Sequence, residues 1–221
     1  YIMSNLLDEF VNSNYPNLKN GSKKYMYLSP EKIDIDTELF LEKIENVFNK
    51  IETDNLIKLS ELSNYSRPYL YVDKKGKKHY EDTIRDCLRC IIDSTFFANL
   101  LEKKLDHVIP KKYKNHDYMY INPRMRFLKY DNSGHFCRHQ DENFTNKNSK
   151  SLITVLIYLN DGYEGGFTQF FSSTEDKIGL SLVPQIGMVC LMDQSIEHQV
   201  PEISKGIKYV VRTELMYKLA T

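Results

Sequence analysis

The sequence predicts a chain that is helical first and all-β afterwards, folded as one domain of 221 residues. Three observations carry that prediction. After Pro110 the texture changes: apolar residues stop recurring at helical spacing and gather in short blocks between polar loops. Those blocks are MRFLKY (125–130), SLITVLIYL (151–159), FTQFF (167–171), GMVCLM (187–192) and KYVVRTELMY (208–217), which alternate or run continuously apolar as antiparallel strands of a sandwich or barrel do. Finally, no repeat and no Gly/Ser/Pro linker divides the chain, so the helices brace the β half. The expected organisation is a single domain over 1–221, with a helical bracing region at 1–115 and the β core at 116–221.

Taken in order, residues 1–30 are broken by Pro16, Gly21 and Pro30. The opening YIMSNLLDEF is amphipathic and acidic, lacks a basic leading region, and does not read as a signal peptide. From Asp36 the spacing of Phe40, Ile44, Val47 and Ile51 predicts a helix, with Asp36 or Thr37 as N-cap. Residues 53–80 are polar, and SRPYLYVDKKGKKHY (66–80) suggests a short strand and a basic hairpin-like loop. A second helix is expected from Glu81 to His107, striped by Ile84, Leu88, Ile91, Thr95, Ala98 and Leu101 and closed by Pro110. Cys87 and Cys90 form a CxxC within that pattern. No second CxxC completes a zinc site, so core packing on one helix face beside Ile84 and Ile91 is the reading.

Composition narrows the function classes. Lys+Arg 30 balances Asp+Glu 30, so no global field draws the chain onto nucleic acid or anionic lipid. Lys outnumbers Arg 23 to 7, a further mark against nucleic acid, whose bases and phosphates are best gripped by Arg. No apolar run approaches the roughly 18 residues of a membrane span. Four cysteines require no oxidising compartment, and a reducing cytosol or nucleus is expected. Oligomeric state is not legible.

The chemistry-bearing constellation begins at His139-Gln140-Asp141. An imidazole and a carboxylate two residues apart can grip one divalent ion. Chance alone supplies about 0.4 such pairs in a chain of this His and Asp content, so the pair counts for little by itself. His198, 57 residues after Asp141 and just before the last predicted strand, changes that. Two His and one Asp are the ligand set of the facial triad that holds non-haem Fe(II) with open positions. In a double-stranded β-helix, the loops after the second strand and before the last converge at one barrel mouth.

With these residues in place the chain resembles the Fe(II)/2-oxoglutarate dioxygenases, and within them the prolyl 4-hydroxylase-like branch, over about residues 120–217. The matching stretches are RFLKYDNSGHFCRHQD (126–141), LITVLIYLNDGYEGGFTQFF (152–171), VPQIGMVCLMDQSIEHQV (183–200) and KGIKYVVRTELMYK (205–218). Within them the branch pattern falls on Tyr130, His139/Asp141, Thr154 to Asn160, Gly165-Gly166-Phe167-Thr168, Pro184/Gly187, His198 and Lys208. The resemblance implies a double-stranded β-helix (jelly-roll, cupin-like) core with flanking helices. It also implies Fe(II) on His139, Asp141 and His198, and Lys208 as the cation for the distal carboxylate of 2-oxoglutarate. Thr168 and Tyr130 would hydrogen-bond the same carboxylate, with Tyr158 a further candidate. Strand alternation puts Lys208, Val210, Arg212 and Glu214 on one face, so Arg212 is either a charge partner behind the site or the anchor itself. Two positions depart from the branch: Phe136 stands where collagen-type enzymes carry Tyr, and Ser151 where they carry Arg. Both lie on the substrate side in the family.

The implied activity is an oxygenase using Fe(II), 2-oxoglutarate and O2, with ascorbate as an accessory. It would hydroxylate a C–H, foremost on a prolyl residue of a protein or peptide, releasing succinate and CO2. A small-molecule or free amino-acid hydroxylase of the same superfamily, and an inactive oxygenase-fold binding module, are the alternatives. Asp141 argues against a halogenase, which needs a small residue there. The lack of an Arg pair beyond His198 argues against a base demethylase.

Overall fold

The alternation read in the C-terminal half closes into two facing antiparallel sheets, and much of the N-terminal half joins them. The computed structural model describes residues 2–14, 31–32, 38–69, 71–172 and 177–219. In chain order the first elements are α1 (Ile2–Asn14), β1 (Glu31–Lys32), β2 (Leu41–Ile44), α2 (Lys50–Glu61), β3 (Tyr71–Val72) and β4 (Lys78–His79). Next come β5 (Arg85–Asp86), β6 (Leu88–Asp93), α3 (Thr95–Leu105), β7 (Lys112–Tyr113), β8 (His116–Ile121) and β9 (Arg124–Tyr130). Then follow β10 (His135–His139), β11 (Ser149–Tyr158), β12 (Glu164–Gly165), β13 (Thr168–Phe171) and β14 (Ile178–Leu182). The chain ends with β15 (Val189–Asp193), β16 (His198–Val200), β17 (Ile203–Lys205) and β18 (Lys208–Lys218).

The major sheet has nine strands. Its main path is β1-β2-β15-β11-β18-β8-β7, with β9 also on β18 and β6 on β9. The minor sheet runs β14-β13-β16-β10-β5. This is the predicted jelly-roll, and all five predicted strand blocks lie where the sequence puts them. β11 and β18 are buried along nearly their whole length, which accounts for their continuous apolar runs. The helices cover the outer face of the major sheet. Leu7 and Val11 of α1, Leu56 of α2 and Phe97 and Leu101 of α3 pack on Phe127, Val155, Ile157 and Val211. The inner face looks toward the minor sheet and keeps its polar groups.

Two predicted helices are corrected. The helix expected from Asp36 begins only at Lys50. Asn49 caps it in a capping box with Glu52: the Asn49 side chain accepts from the Glu52 N–H at 3.0 Å while Glu52 accepts from Asn49 N–H at 2.6 Å. Leu41–Ile44 is instead a strand paired to β15, buried on both faces by Leu41 within the barrel and Ile44 against the helices. Its apolar spacing therefore imitates a helix, and Ile51, placed in the predicted stripe, is 71% exposed. The N-caps expected at Asp36 or Thr37, and the breaks at Pro16, Gly21 and Pro30, lie outside the described residues.

In place of the helix expected over 81–107 stand a turn at 82–84, the strands Arg85–Asp86 and Leu88–Asp93, and a helix only from Thr95, where Ser94 accepts the Phe97 N–H at 3.0 Å. Leu88, Cys90 and Ile92 alternate, and pairing along the whole of β9 overrides local helix propensity. Cys87 and Cys90 are buried, as expected, but on opposite faces of the strand. Ile84 and Ile91 are more than a third exposed. All four cysteines are free thiols. The basic hairpin is present as β3 paired with β4. Among the described residues, no helix is long and apolar enough to cross a membrane.

Candidate active site

Strand pairing in the minor sheet assembles the site. β10 and β16 run antiparallel with His139 directly opposite His198, so their rings meet at 4.3 Å between centroids. Both histidines thus sit at strand ends rather than within the loops read from the sequence. Asp141 follows just past β10, where its N–H donates to the Gln194 carbonyl at 3.0 Å. One ligand atom from each of His139, Asp141 and His198 lies within 4.8 Å of the others.

The imidazoles are oriented from behind. Nδ1 of His139 contacts the Cys137 carbonyl at 2.8 Å and Nδ1 of His198 the Ile196 carbonyl at 3.0 Å. A carbonyl only accepts, so each Nδ1 carries the proton and each Nε2 keeps its lone pair free. Burial, and then the neighbouring His198, pushes His139 down to about 3, and burial lowers His198 as well. Both rings are therefore neutral at ordinary pH, as metal ligation demands.

Asp141 is held as a carboxylate. Burial alone would raise its pKa, but the Arg212 guanidinium, His198, the Thr154 hydrogen bond and His139 together outweigh burial and hold it well below the usual carboxylate range. Arg212 contacts its two oxygens at 3.0 and 3.3 Å, and Thr154 Oγ1 donates to it at 2.6 Å. The ion chain continues inward: Arg212 meets Glu214 at 3.3 Å, Glu214 meets Arg126 at 2.6 Å, and Asn122 donates to Glu214 at 2.9 Å.

Lys208 lies at the other end of the same cavity and is 1% exposed. Its Nζ donates to the Gly166 carbonyl at 2.6 Å and sits 5.8 and 5.6 Å from the ring centres of Tyr130 and Tyr158. No carboxylate pairs with it among the described residues, and burial pushes its pKa down to about 7. Thr168 Oγ1 and the Tyr158 hydroxyl are 2.8 Å apart beside it. The Gly-Gly turn makes this packing possible. Gly165 and Gly166 have φ of 82° and 61°, and a Cβ on Gly165 would stand 2.2 Å from the Glu202 carbonyl oxygen.

His139, Asp141, His198, Tyr130, Thr168, Lys208, Arg212, Tyr158 and Phe136 thus share one cavity. Ser151 is the exception. It is fully buried, its hydroxyl accepts from Phe144 N–H at 2.8 Å and donates to Gln194 Oε1 at 2.9 Å, and it does not line the cavity. Gln194 in turn donates to Thr154 at 3.3 Å, so Ser151 supports the Asp141 loop instead. Arg85 is the cavity residue that sequence reasoning missed. Its guanidinium lies 4.5 Å over the Phe136 ring, which stacks 3.5 Å from His139. Its local signal is weak, because Arg85 is set by the pairing of the two-residue strand β5 with β10, where it stands opposite Phe136, 51 residues on.

The donor set fits the groups that the sequence resemblance implies. Two neutral imidazoles and one ionised carboxylate suit a borderline divalent metal. A buried ammonium without an acid partner suits a carboxylate ligand.

The comparisons agree with this geometry. Residues 125–213 match the family model of the 2OG-Fe(II) oxygenase superfamily, a span that contains all three triad residues and Lys208. The resemblance to Fe(II)/2-oxoglutarate dioxygenases holds, and that family uses Fe(II), 2-oxoglutarate and O2. In fold the chain is similar to prolyl hydroxylases. One is a prolyl hydroxylase from Trichoplax adhaerens in complex with a hypoxia inducible factor peptide fragment (15% identity, TM-score 0.62, covering 79% of this chain and 82% of that one). Another is a Pseudomonas putida prolyl-4-hydroxylase (13%, 0.57, 83% and 95%). A third is the viral collagen prolyl hydroxylase of Paramecium Bursaria Chlorella virus-1 (16%, 0.52, 83% and 99%). No curated protein sequence matches significantly.

Proposed function

We propose that the protein is an Fe(II)- and 2-oxoglutarate-dependent oxygenase that hydroxylates a prolyl residue of a protein or peptide, with release of succinate and CO2. The observation that carries this reading is the pairing, in one cavity, of a neutral His139/His198 and ionised Asp141 cluster with the uncompensated buried Lys208. In this reading His139, Asp141 and His198 hold the iron. Lys208 receives the distal carboxylate of the keto acid, with Thr168, Tyr130 and Tyr158 as hydroxyl partners. Bound iron and 2-oxoglutarate supply the oxidising chemistry that no side chain here can provide. The chain's own residues orient and insulate. Arg212 and Thr154 hold Asp141 ionised and aimed, the Cys137 and Ile196 carbonyls fix the imidazole tautomers, and Leu128, Leu156 and Val210 keep the cavity wall apolar.

Arg212 is committed to Asp141 and Glu214, which supports Lys208 as the anchor. A prolyl peptide substrate is supported by the fold shared with prolyl hydroxylases, one of which is in complex with a peptide. The test is incubation with Fe(II), 2-oxoglutarate, O2 and ascorbate against proline-bearing peptides, free proline and other free amino acids. A gain of one oxygen on the prolyl residue with matching succinate supports the reading. Oxygen transfer confined to free amino acids, or succinate formation independent of every peptide offered, contradicts it.

A further inference from the structure

The catalytic cavity and the adjoining edge of the major sheet carry more positive charge than their carboxylates match. Arg126, Arg212, Lys208, Arg85 and Arg89 stand against Asp141 and Glu214. Both acids are already engaged, Glu214 by Arg126 and Arg212, and Asp141 by Arg212. Lys208 is accounted for by the keto acid. Arg85 and Arg89 remain, with no carboxylate partner among the described residues. Burial, and then the guanidiniums of Arg85 and Arg126, hold Arg89 below the usual arginine value.

Register places these two cations along one path. β6 pairs with β9 so that Arg89 stands opposite Leu128, and opposed residues of an antiparallel pair share a face. Leu128 lines the catalytic cavity, as does Arg85. Arg89 therefore continues that cavity's face across the sheet edge. Beyond it opens a groove of about 680 Å³, lined by Ser66, Arg67, Tyr69, Lys78 and Tyr80 with Arg89 and Ile91. Lys78 and Arg89 flank the Tyr69 ring at 5.2 and 5.7 Å. Asp82 neutralises Arg67 at 2.9 Å, but Lys78 and its hairpin neighbours Lys74, Lys75 and Lys77 make no ion pair among the described residues. Asp73 does not offset them outward: it is turned onto its own hairpin, accepting from the N–H groups of Lys75 and Lys77.

We propose that this edge is a substrate groove for an acidic peptide, in which Arg85 takes a carboxylate beside the reacting residue and Arg89 with Lys78 takes another further out. The proposal rests on the prolyl-peptide reading and adds the charge class of the substrate. Arg85 in β5 and Arg89 in β6 flank the short break between the two sheets, near enough that the Arg85 charge adds to burial in lowering the Arg89 pKa, so acidic side chains spaced along one peptide can meet both. The apolar and aromatic lining from Ile91, Tyr69 and Tyr80 suits side chains between those carboxylates. A phosphodiester strand fits less well, because Arg89 is half-buried and the chain has no net positive charge.

The test titrates three fluorescein-labelled proline peptides, alike except for Asp, Asn or Lys at the flanking positions, against the full chain without added metal, and measures hydroxylation of the same peptides with Fe(II) and 2-oxoglutarate. The Asp peptide should bind about tenfold tighter than the Asn peptide, with an advantage that shrinks as salt rises. Arg89→Glu should reverse the order in favour of the Lys peptide, and Arg89→Gln should merely erase it, which keeps the test readable if the reversal variant misfolds. Equal binding of the three peptides, with all of them hydroxylated, overturns the groove and leaves the prolyl reading standing. Preferential binding of the Asp peptide with no hydroxylation of any peptide supports the groove and overturns the prolyl reading. Tighter binding of a single-stranded oligonucleotide than of the Asp peptide also overturns the proposal.

Discussion

Lys208 and Arg212 stand four residues apart on the same face of β18, and their surroundings are opposite. Arg212 is enclosed by carboxylates: burial works against its charge, but Asp141 and Glu214 more than offset that and raise its pKa. Lys208 has only a backbone carbonyl and two aromatic rings, and burial drives it down to about 7. A buried cation with its partners in place holds geometry, whereas one without them is poised for an anion that arrives with the ligand. The two ends of one strand thus separate positioning from binding.

The largest effect that can break this comparison is on the cosubstrate. Removing the partner of a buried carboxylate costs about 3–5 kcal/mol, so Lys208→Ala should raise the KM for 2-oxoglutarate by roughly a hundredfold to a few thousandfold. Its melting temperature should hold or rise, since an unpaired buried charge is gone. Arg212→Ala should do the reverse. It strips Asp141 and Glu214 of a shared partner and destabilises the fold by about 3–5 kcal/mol, and its KM should shift far less. Steady-state kinetics and thermal melts on both variants check this, and the opposite ranking for KM moves the anchor to Arg212.

A smaller effect sharpens it through pH. The folded pKa of Lys208, about 7, lies below the 10.5 of an ordinary lysine. Below pH 7 the ligand-free fold must bury a charge, and that cost fades as pH rises from 7 toward 10.5. Lys208 therefore makes the ligand-free protein more stable with rising pH in that window. Ligand binding runs the other way. It needs the ammonium, so above pH 7 the affinity for 2-oxoglutarate should fall by about tenfold per pH unit, with one proton taken up on binding. Calorimetric titration of the native protein in buffers of different ionisation enthalpy measures both the slope and the proton. Arg212, always charged, predicts no such slope, so a flat profile would point to it.

How far the sequence reveals this molecule depends on the range of the interaction concerned. The strands at 125–130, 151–159 and 208–217 are legible because apolar blocks bounded by polar loops record their burial locally. The triad is legible because β10 and β16 each carry a recognisable ligand at an end. The segment 81–94 is not, since Ile84, Leu88 and Ile91 happen to fall at helical spacing while the pairings that make strands of it, β5 with β10 and β6 with β9, lie more than thirty residues away. Misreading that segment hid Arg85. That Ser151 lies outside the cavity lining is illegible for a related reason: nothing local says that its hydroxyl donates to Gln194, 43 residues on. The Arg212–Asp141 pairing, 71 residues apart, also needs the folded barrel.

The central claim is that His139, Asp141 and His198 form one metal centre that drives 2-oxoglutarate turnover. The most direct measurement is succinate formed from 2-oxoglutarate with Fe(II), in the native protein and in His139→Ala, Asp141→Ala and His198→Ala, alongside circular dichroism. The account predicts Fe(II)-dependent succinate in the native protein and its loss in each variant, with the fold kept. Near-native succinate from any one of the three would contradict it.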